Sequence, residues 1–156
     1  MREFIKHYPY RIAEGDVLSV AILKAAEEGK IETLLDANED DWDVNLQSSD
    51  GMSLLAIAAE QGYDDIFLYL LNRGAFMYSL DMWGWTLLHS AATGGSVAIV
   101  KRLLELGFKV DHYDDDMKTA LYYARAEGHE EIVKLLLKYG AREHWFDKDN
   151  NVDIIY

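Results

Sequence analysis

The apolar positions of this chain recur with a period of 33 residues, and each copy of the pattern has two helical parts. In one copy Leu88, Ala91 and Ala92 fall at i, i+3 and i+4, the spacing of one helix face. A second such face occupies residues 99–104, and Gly95 separates the two. The neighbouring copies are apolar at the same places, at Leu55 and Leu121, Ile66 and Ile132, and Leu70 and Leu136.

Polar and glycine positions follow the same period and predict where the helices begin and end. A hydroxyl residue precedes each first helix and is expected to accept a backbone N–H as its N-cap. Glycine is expected in the turn between the helices and after the second helix, because it tolerates a left-handed backbone. The roughly ten residues left in each copy are too few for another helix and predict an extended finger. The hydroxyl positions are Ser53, Thr86 and Thr119; the turn glycines are Gly29, Gly62, Gly95 and Gly128; the closing glycines are Gly74, Gly107 and Gly140.

A fixed period of this length indicates a solenoid, in which each unit buries its apolar face by stacking on the next. Residues 81–95 read DMWGWTLLHSAATGG and residues 99–107 read IVKRLLELG, and together they closely resemble an ankyrin repeat. The resemblance covers residues 16–147. It implies a mainly α ankyrin-repeat solenoid, with a helix-turn-helix and a β-hairpin or loop finger in each unit.

The resemblance also divides the chain. We expect one domain over residues 1–156, with an N-terminal extension (1–15), a capping repeat (16–47), three further repeats (48–80, 81–113 and 114–146) and a C-terminal piece (147–156). The capping repeat departs from the pattern, since Asp41 stands where Gly74 and Gly107 stand later. The family favours proline after the threonine, and here Leu87 takes that place. Ile154 falls in register with Leu88, so the C-terminal piece is either a stub that serves as a cap or the start of a further repeat.

Composition and charge narrow the classes of partner. The 156 residues include no cysteine, which excludes disulfides and cysteine-bound metals and fits a reducing compartment. The formal net charge of −13 repels nucleic acid and anionic membranes and attracts basic partners. No apolar run approaches the ~20 residues that span a bilayer. The N-terminus carries charges where a signal peptide needs apolar residues. We therefore expect a cytoplasmic protein, monomeric by default, that binds neither nucleic acid nor membrane.

Catalytic signatures are absent from the sequence. It has no phosphate-binding glycine loop, no nucleophile elbow and no HExxH motif, so we expect no enzymatic activity, no catalytic residues and no cofactor. His89 and His129 occupy positions at which the resemblance implies structural histidines. His112 and His144 are one position out of register, which disfavours a shared metal.

One acidic segment has a weak likeness to a metal site. Residues 147–153 resemble the start of a calcium loop, but Val152 replaces the required glycine. A solvated finger is the favoured interpretation, and we expect no metal site.

The resemblance implies that partners are held by the finger tips and by the exposed concave side of the first helices. Apolar residues at these positions should be exposed. Trp83 and Trp85 alternate along one finger, so one is expected to face inward and the other outward, with finger-to-finger packing as the alternative for both. The candidate partner-binding residues are Leu80, Met82, Trp83, Trp85, Tyr113, Asp115, Asp116, Lys118, Asp50, Met52, Phe146 and Asp149.

These residues form an apolar strip with acidic neighbours, which suits a basic segment that carries apolar side chains. The sequence therefore predicts a non-enzymatic protein–protein interaction module or scaffold. Two alternatives remain open. One is an acidic immunity or inhibitor protein that neutralises a basic toxin or enzyme. The other is a calcium- or metal-binding regulatory fragment of a larger protein, such as an enzyme or a channel.

Overall fold

The computed structural model describes residues 17–146 and 152–154, and these form stacked pairs of helices joined by fingers. Two residues separate the helices of most pairs, and longer non-helical segments separate one pair from the next. The helices are α1 (Val17–Glu28), α2 (Ile31–Asp36), α3 (Leu54–Gln61), α4 (Asp64–Asn72), α5 (Leu87–Gly94), α6 (Val97–Glu105), α7 (Ala120–Ala126) and α8 (Glu130–Lys138). The expected mainly α solenoid with a 33-residue period is confirmed.

The helix ends lie where the polar pattern places them. The Ser53 hydroxyl accepts the Ala56 N–H at 3.1 Å, and the Thr119 hydroxyl accepts the Tyr122 N–H at 3.4 Å. The predicted N-caps of α3 and α7 are thereby confirmed. Gly62 and Gly95 end their helices in the left-handed conformation, with φ of 74° and 82°. This conformation turns the chain directly into the second helix of each pair.

The core is one continuous cluster between two layers of helices. The first helices α1, α3, α5 and α7 pack in a row, and α4, α6 and α8 pack beside them. The row of first helices meets through alanines, because a small side chain lets two backbones approach closely. Fully buried alanines in this row are Ala26, Ala58, Ala59, Ala91, Ala92 and Ala124.

Two first helices approach each other closely at Gly94, the last residue of α5. A Cβ placed on Gly94 would lie 1.9 Å from the Ala59 carbonyl oxygen and 2.8 Å from that of Glu60. Both obstructing atoms belong to the backbone of α3, so no side-chain rotation could relieve the contact. The spacing of α3 and α5 therefore depends on the absence of a side chain at this position.

The fingers repeat one turn three times. The N–H of Ser48, Asp81 and Asp114 donates to the carbonyl four residues later, at 2.9, 3.3 and 3.0 Å. Adjacent fingers are joined by equivalent backbone hydrogen bonds, from the Met82 N–H to the Asp50 carbonyl and from the Asp115 N–H to the Trp83 carbonyl. The fingers and the helices therefore share one stacking register.

The two ends of the described region depart from the common repeat. Helix α2 has six residues where α4, α6 and α8 have nine, and a short 3-10 helix at Glu39–Asp41 follows it. At the other end strand β1 (His144–Phe146) pairs antiparallel with β2 (Val152–Ile154). Ile154 therefore lies in a strand, although its equivalents Leu88 and Leu121 are helical.

Replacing Gly94 with alanine tests the close approach of α3 and α5. At an exposed helix position this change would stabilise the protein by about 1 kcal/mol. Here it should destabilise it by about 3 kcal/mol, because the new methyl group overlaps the Ala59 carbonyl oxygen. Urea denaturation monitored by circular dichroism measures the difference.

Gly107→Ala is the matched control. A Cβ at Gly107 meets nothing within 4 Å, so only the left-handed backbone, with φ of 86°, opposes the change. We expect a cost of about 1 kcal/mol from that conformation. A Gly94→Ala variant more stable than the parent protein would contradict the close approach.

Candidate partner-binding surface

The finger that contains both tryptophans is organised by two aspartates. Asp81 Oδ1 accepts the N–H of Trp83 at 2.9 Å and that of Trp85 at 3.0 Å. In the next finger Asp114 Oδ1 accepts the N–H of Asp116 at 3.0 Å and that of Lys118 at 2.8 Å. Each aspartate thus closes its own turn, which explains why an aspartate opens these units in the sequence.

Asp114 also joins the two fingers through its second carboxylate oxygen. Oδ2 accepts the Trp85 Nε1–H at 3.0 Å and the Tyr123 hydroxyl at 2.5 Å. Burial raises the pKa of the Tyr123 hydroxyl, and its hydrogen bond to the Asp114 carboxylate raises that pKa further. The buried carboxylate of Asp114 is therefore satisfied by four donors and acts as a structural element.

Trp85 is part of this buried cluster. Its side chain is 4% exposed, and its ring centroid lies 4.4 Å from that of Tyr123 and 5.8 Å from that of His89. The expectation that Trp85 is exposed to a partner is therefore wrong. Trp85 therefore packs inward, as expected for one of the two tryptophans of this finger. Trp83 is half-buried.

The two histidines of the repeat pattern connect neighbouring units, as expected. His89 Nδ1 accepts the Thr86 N–H at 3.1 Å, and Nε2 lies 3.1 Å from the Lys118 carbonyl oxygen of the next finger. His129 Nε2 lies 2.9 Å from the Thr93 carbonyl oxygen of the preceding unit. Their structural role is confirmed.

The structure offers no metal site in its described part. Among the residues that the structure describes, no cluster of three or more carboxylate, imidazole or thiol groups could hold a metal ion. The calcium-like segment that begins at Asp147 lies largely outside the described residues, and so does the side chain of His144.

The remaining candidate residues divide by exposure. Leu80, Met82, Asp115 and Asp116 are exposed, and Trp83, Tyr113 and Lys118 are half-buried. We call these seven residues the finger surface. Phe146 lies in β1 with its side chain outside the description, and Asp149 lies outside the described residues.

Two further candidates are buried, and their expected exposure is a second correction. Met52 joins the apolar core. The Asp50 carboxylate accepts a hydrogen bond from the Ser48 hydroxyl, and the next finger covers Asp50 through the Met82 N–H. Both residues lie in the finger that precedes the tryptophan finger, so the stack itself covers them.

The finger surface combines apolar side chains with exposed carboxylates. A Cβ on Gly84 would lie 2.7 Å from Asp115 Oδ1, so this carboxylate rests against the tip of the tryptophan finger. The Lys118 ammonium lies 4.8 Å from the centroid of the Tyr122 ring, a cation–π geometry. Exposed apolar area thus borders negative charge.

Sequence reasoning missed three exposed residues next to this surface: Phe76, Tyr78 and Met117. Met117 has a φ of 59°, whereas glycine fills the equivalent positions 51 and 84. A non-glycine residue in this conformation carries strain. Comparing the three fingers position by position would have revealed this substitution.

Comparisons with known proteins agree with this architecture. The family model for ankyrin repeats, in three copies, matches residues 76–147. The human transient receptor potential cation channel subfamily A member 1 is 39% identical over 96 residues, which cover 59% of this chain and 8% of that protein. The chain thus spans a small part of this relative's length. Among the described residues, no helix combines the length and the apolar character needed to cross a bilayer.

Trp85→Phe tests the buried cluster. Phenylalanine keeps an aromatic ring but removes the indole N–H, so the Asp114 carboxylate loses one of its four donors. We expect a loss of about 2 kcal/mol in the free energy of unfolding, the scale of a hydrogen bond to a charged group. Chemical denaturation measures it. Unchanged stability would show that the Trp85–Asp114 hydrogen bond contributes nothing.

Met117→Gly should stabilise the protein by about 1 kcal/mol, because glycine adopts the left-handed backbone without a steric penalty. Met117→Ala is the matched control, since it removes the side chain but keeps the strain. Thermal denaturation should rank the glycine variant above both the parent protein and the alanine variant. A glycine variant less stable than the alanine variant would refute strain at this position.

Proposed function

We propose that this chain binds a protein partner through the finger surface and has no enzymatic activity. Residues 76–147 match the family model for ankyrin repeats, which are generally protein–protein interaction modules. The observation that carries this proposal is the exposure of Leu80 and Met82 in the finger whose Gly84 the exposed Asp115 carboxylate contacts. Large apolar side chains at adjacent exposed positions are typical of interaction sites. Methionine and aromatic side chains are enriched in interface cores.

The charge of this surface favours a basic partner. The whole chain carries a formal charge of −13, and Asp115 and Asp116 add local negative charge at the finger tips. Such a field accelerates the approach of a positively charged protein and slows that of an acidic one. The apolar side chains then supply affinity that salt does not screen.

The hydrogen bonds that order the fingers also support the proposal. Asp81 and Asp114 fix the finger turns, and backbone hydrogen bonds join one finger to the next. A surface that is already ordered loses little conformational entropy when a partner binds.

A narrower candidate function rests on the same acidic tips. A protein that neutralises a basic enzyme or toxin would use this surface to cover that enzyme, and its association would depend steeply on ionic strength. The absence of cysteine supports placing either function in the cytoplasm.

Affinity capture from extracts of the source cells tests the proposal. Leu80→Ser combined with Met82→Ser should lose the captured protein, since both side chains lie on the finger surface. The captured protein, once purified, should bind the double variant at least about tenfold more weakly than the parent chain, a loss of about 1.4 kcal/mol.

Leu35→Ser combined with Leu68→Ser is the matched control. These leucines are equally exposed but lie on α2 and α4, the second helices of their pairs. The control should retain the parent affinity. Equal affinity for the parent chain and the Leu80/Met82 double variant would refute the proposed surface.

A further inference from the structure

The segment that leads into the tryptophan finger carries an exposed apolar stripe. The exposed fraction is 57% for Phe76, 61% for Tyr78, 52% for Leu80 and 64% for Met82. The residues between them are half-buried. Alternation of this kind places every second side chain on one side of an extended backbone. We call these four residues the 76–82 stripe. Residues 76–80 span at most about 13 Å at ~3.3 Å per residue, and Met82 follows in the turn of the finger.

The stripe belongs to this finger and is not a requirement of the repeat. Its equivalents in the preceding unit are exposed and polar: Asp43, Asn45, Gln47 and Ser49. In the following unit they are the exposed Lys109, the buried Asp111 paired with Arg142, the half-buried Tyr113 and the exposed Asp115. Since the same fold is built with polar residues on both sides, the apolar character of the stripe needs another explanation.

The aromatic side chains of the stripe are held in place. Phe76 and Tyr78 contact edge to face, with ring centroids 5.9 Å apart, and Tyr78 stacks on Phe108 at 5.1 Å. The Phe76 N–H donates to the Asn45 side chain at 2.7 Å. The stripe is therefore an ordered surface in the free chain.

The side chains of the stripe set the spacing of what can bind it. Within the described part of the chain, the N–H groups of residues 77–80 donate to no backbone carbonyl. A partner segment in extended conformation would contact the stripe through side chains at alternate positions.

Charge is distributed unevenly along the stripe. The Asp115 carboxylate rests against Gly84, and the Asp115 N–H donates to the Trp83 carbonyl, so negative charge lies at the Met82 end. At the opposite end the exposed Lys109 of the following unit and the exposed Asp43 of the preceding unit both correspond to Phe76, so their charges offset each other there. A second copy of this chain is a poor occupant, because each copy carries a charge of −13.

We propose that the 76–82 stripe binds an extended segment of the partner protein. The segment has apolar side chains at alternate positions and lysine or arginine at the end that meets Asp115 and Asp116. This inference rests on the proposed protein-binding function and adds the conformation, the residue spacing and the polarity of the bound segment.

A displayed library of random peptides, each about twelve residues long and therefore longer than the stripe, tests the inference against the full chain. Enriched peptides should share alternating apolar residues and a cluster of lysine or arginine at one end. Their affinity, measured by fluorescence anisotropy, should fall at least about tenfold in the Tyr78→Ser variant and again at high salt. The Leu68→Ser variant, altered on α4, should bind them like the parent chain.

Several outcomes would overturn the inference. These are failure to enrich any peptide, enriched peptides without this pattern, or equal binding to the parent chain and the Tyr78→Ser variant. A concentration-dependent dimer that Tyr78→Ser abolishes in sedimentation would assign the stripe to self-association instead.

The inference and the proposed function can fail separately. If no patterned peptide binds but the captured protein still requires Leu80 and Met82, the finger surface binds a folded partner and only the inference fails. If no patterned peptide binds and the captured protein binds the Leu80/Met82 double variant as tightly as the parent chain, both fail.

Discussion

The distance between neighbouring first helices is the constraint on which the rest of the structure depends. At Gly94 the backbone of α5 approaches that of α3 so closely that a Cβ would lie 1.9 Å from the Ala59 carbonyl oxygen. Alanines line the same row of helices, and their small side chains permit this spacing. The backbone hydrogen bonds between adjacent fingers, such as Met82 N–H to the Asp50 carbonyl, require that spacing to be repeated at the finger tips.

The period of the sequence predicts most of the architecture, because the capping and turn residues act locally. Ser53 and Thr119 cap their helices, and Gly62 and Gly95 adopt the left-handed turn conformation, as their positions indicate. The exposure of the finger residues is less predictable, since it depends on what the adjacent unit supplies. Trp85 is buried because the next unit provides Asp114 and Tyr123, and Tyr123 replaces the serine that the previous unit has at that position.

At the candidate surface, sequence reasoning failed in the opposite sense, because it missed residues that are exposed. Phe76 and Tyr78 lie outside the positions that an ankyrin resemblance emphasises, and only a comparison of exposed positions in three adjacent units reveals the apolar stripe. Large exposed apolar side chains are therefore concentrated in one finger, whereas the equivalent positions of the adjacent units are mostly polar. Because neighbouring units hold this finger through Asp50, Asp115 and Phe108, its geometry is set before any partner arrives.

The cluster around Trp85 has a consequence for how such a chain can evolve. Its indole contacts Tyr123, whereas the position equivalent to Tyr123 in its own unit is Ser90. A tandem duplication of residues 81–113 would place the Trp85 indole of the first copy against Ser90 of the second copy. A cavity would remain between the two copies. The unit that contains Trp85 is therefore adapted to the unit that follows it, and a gene rearrangement would have to move both units together to keep this contact.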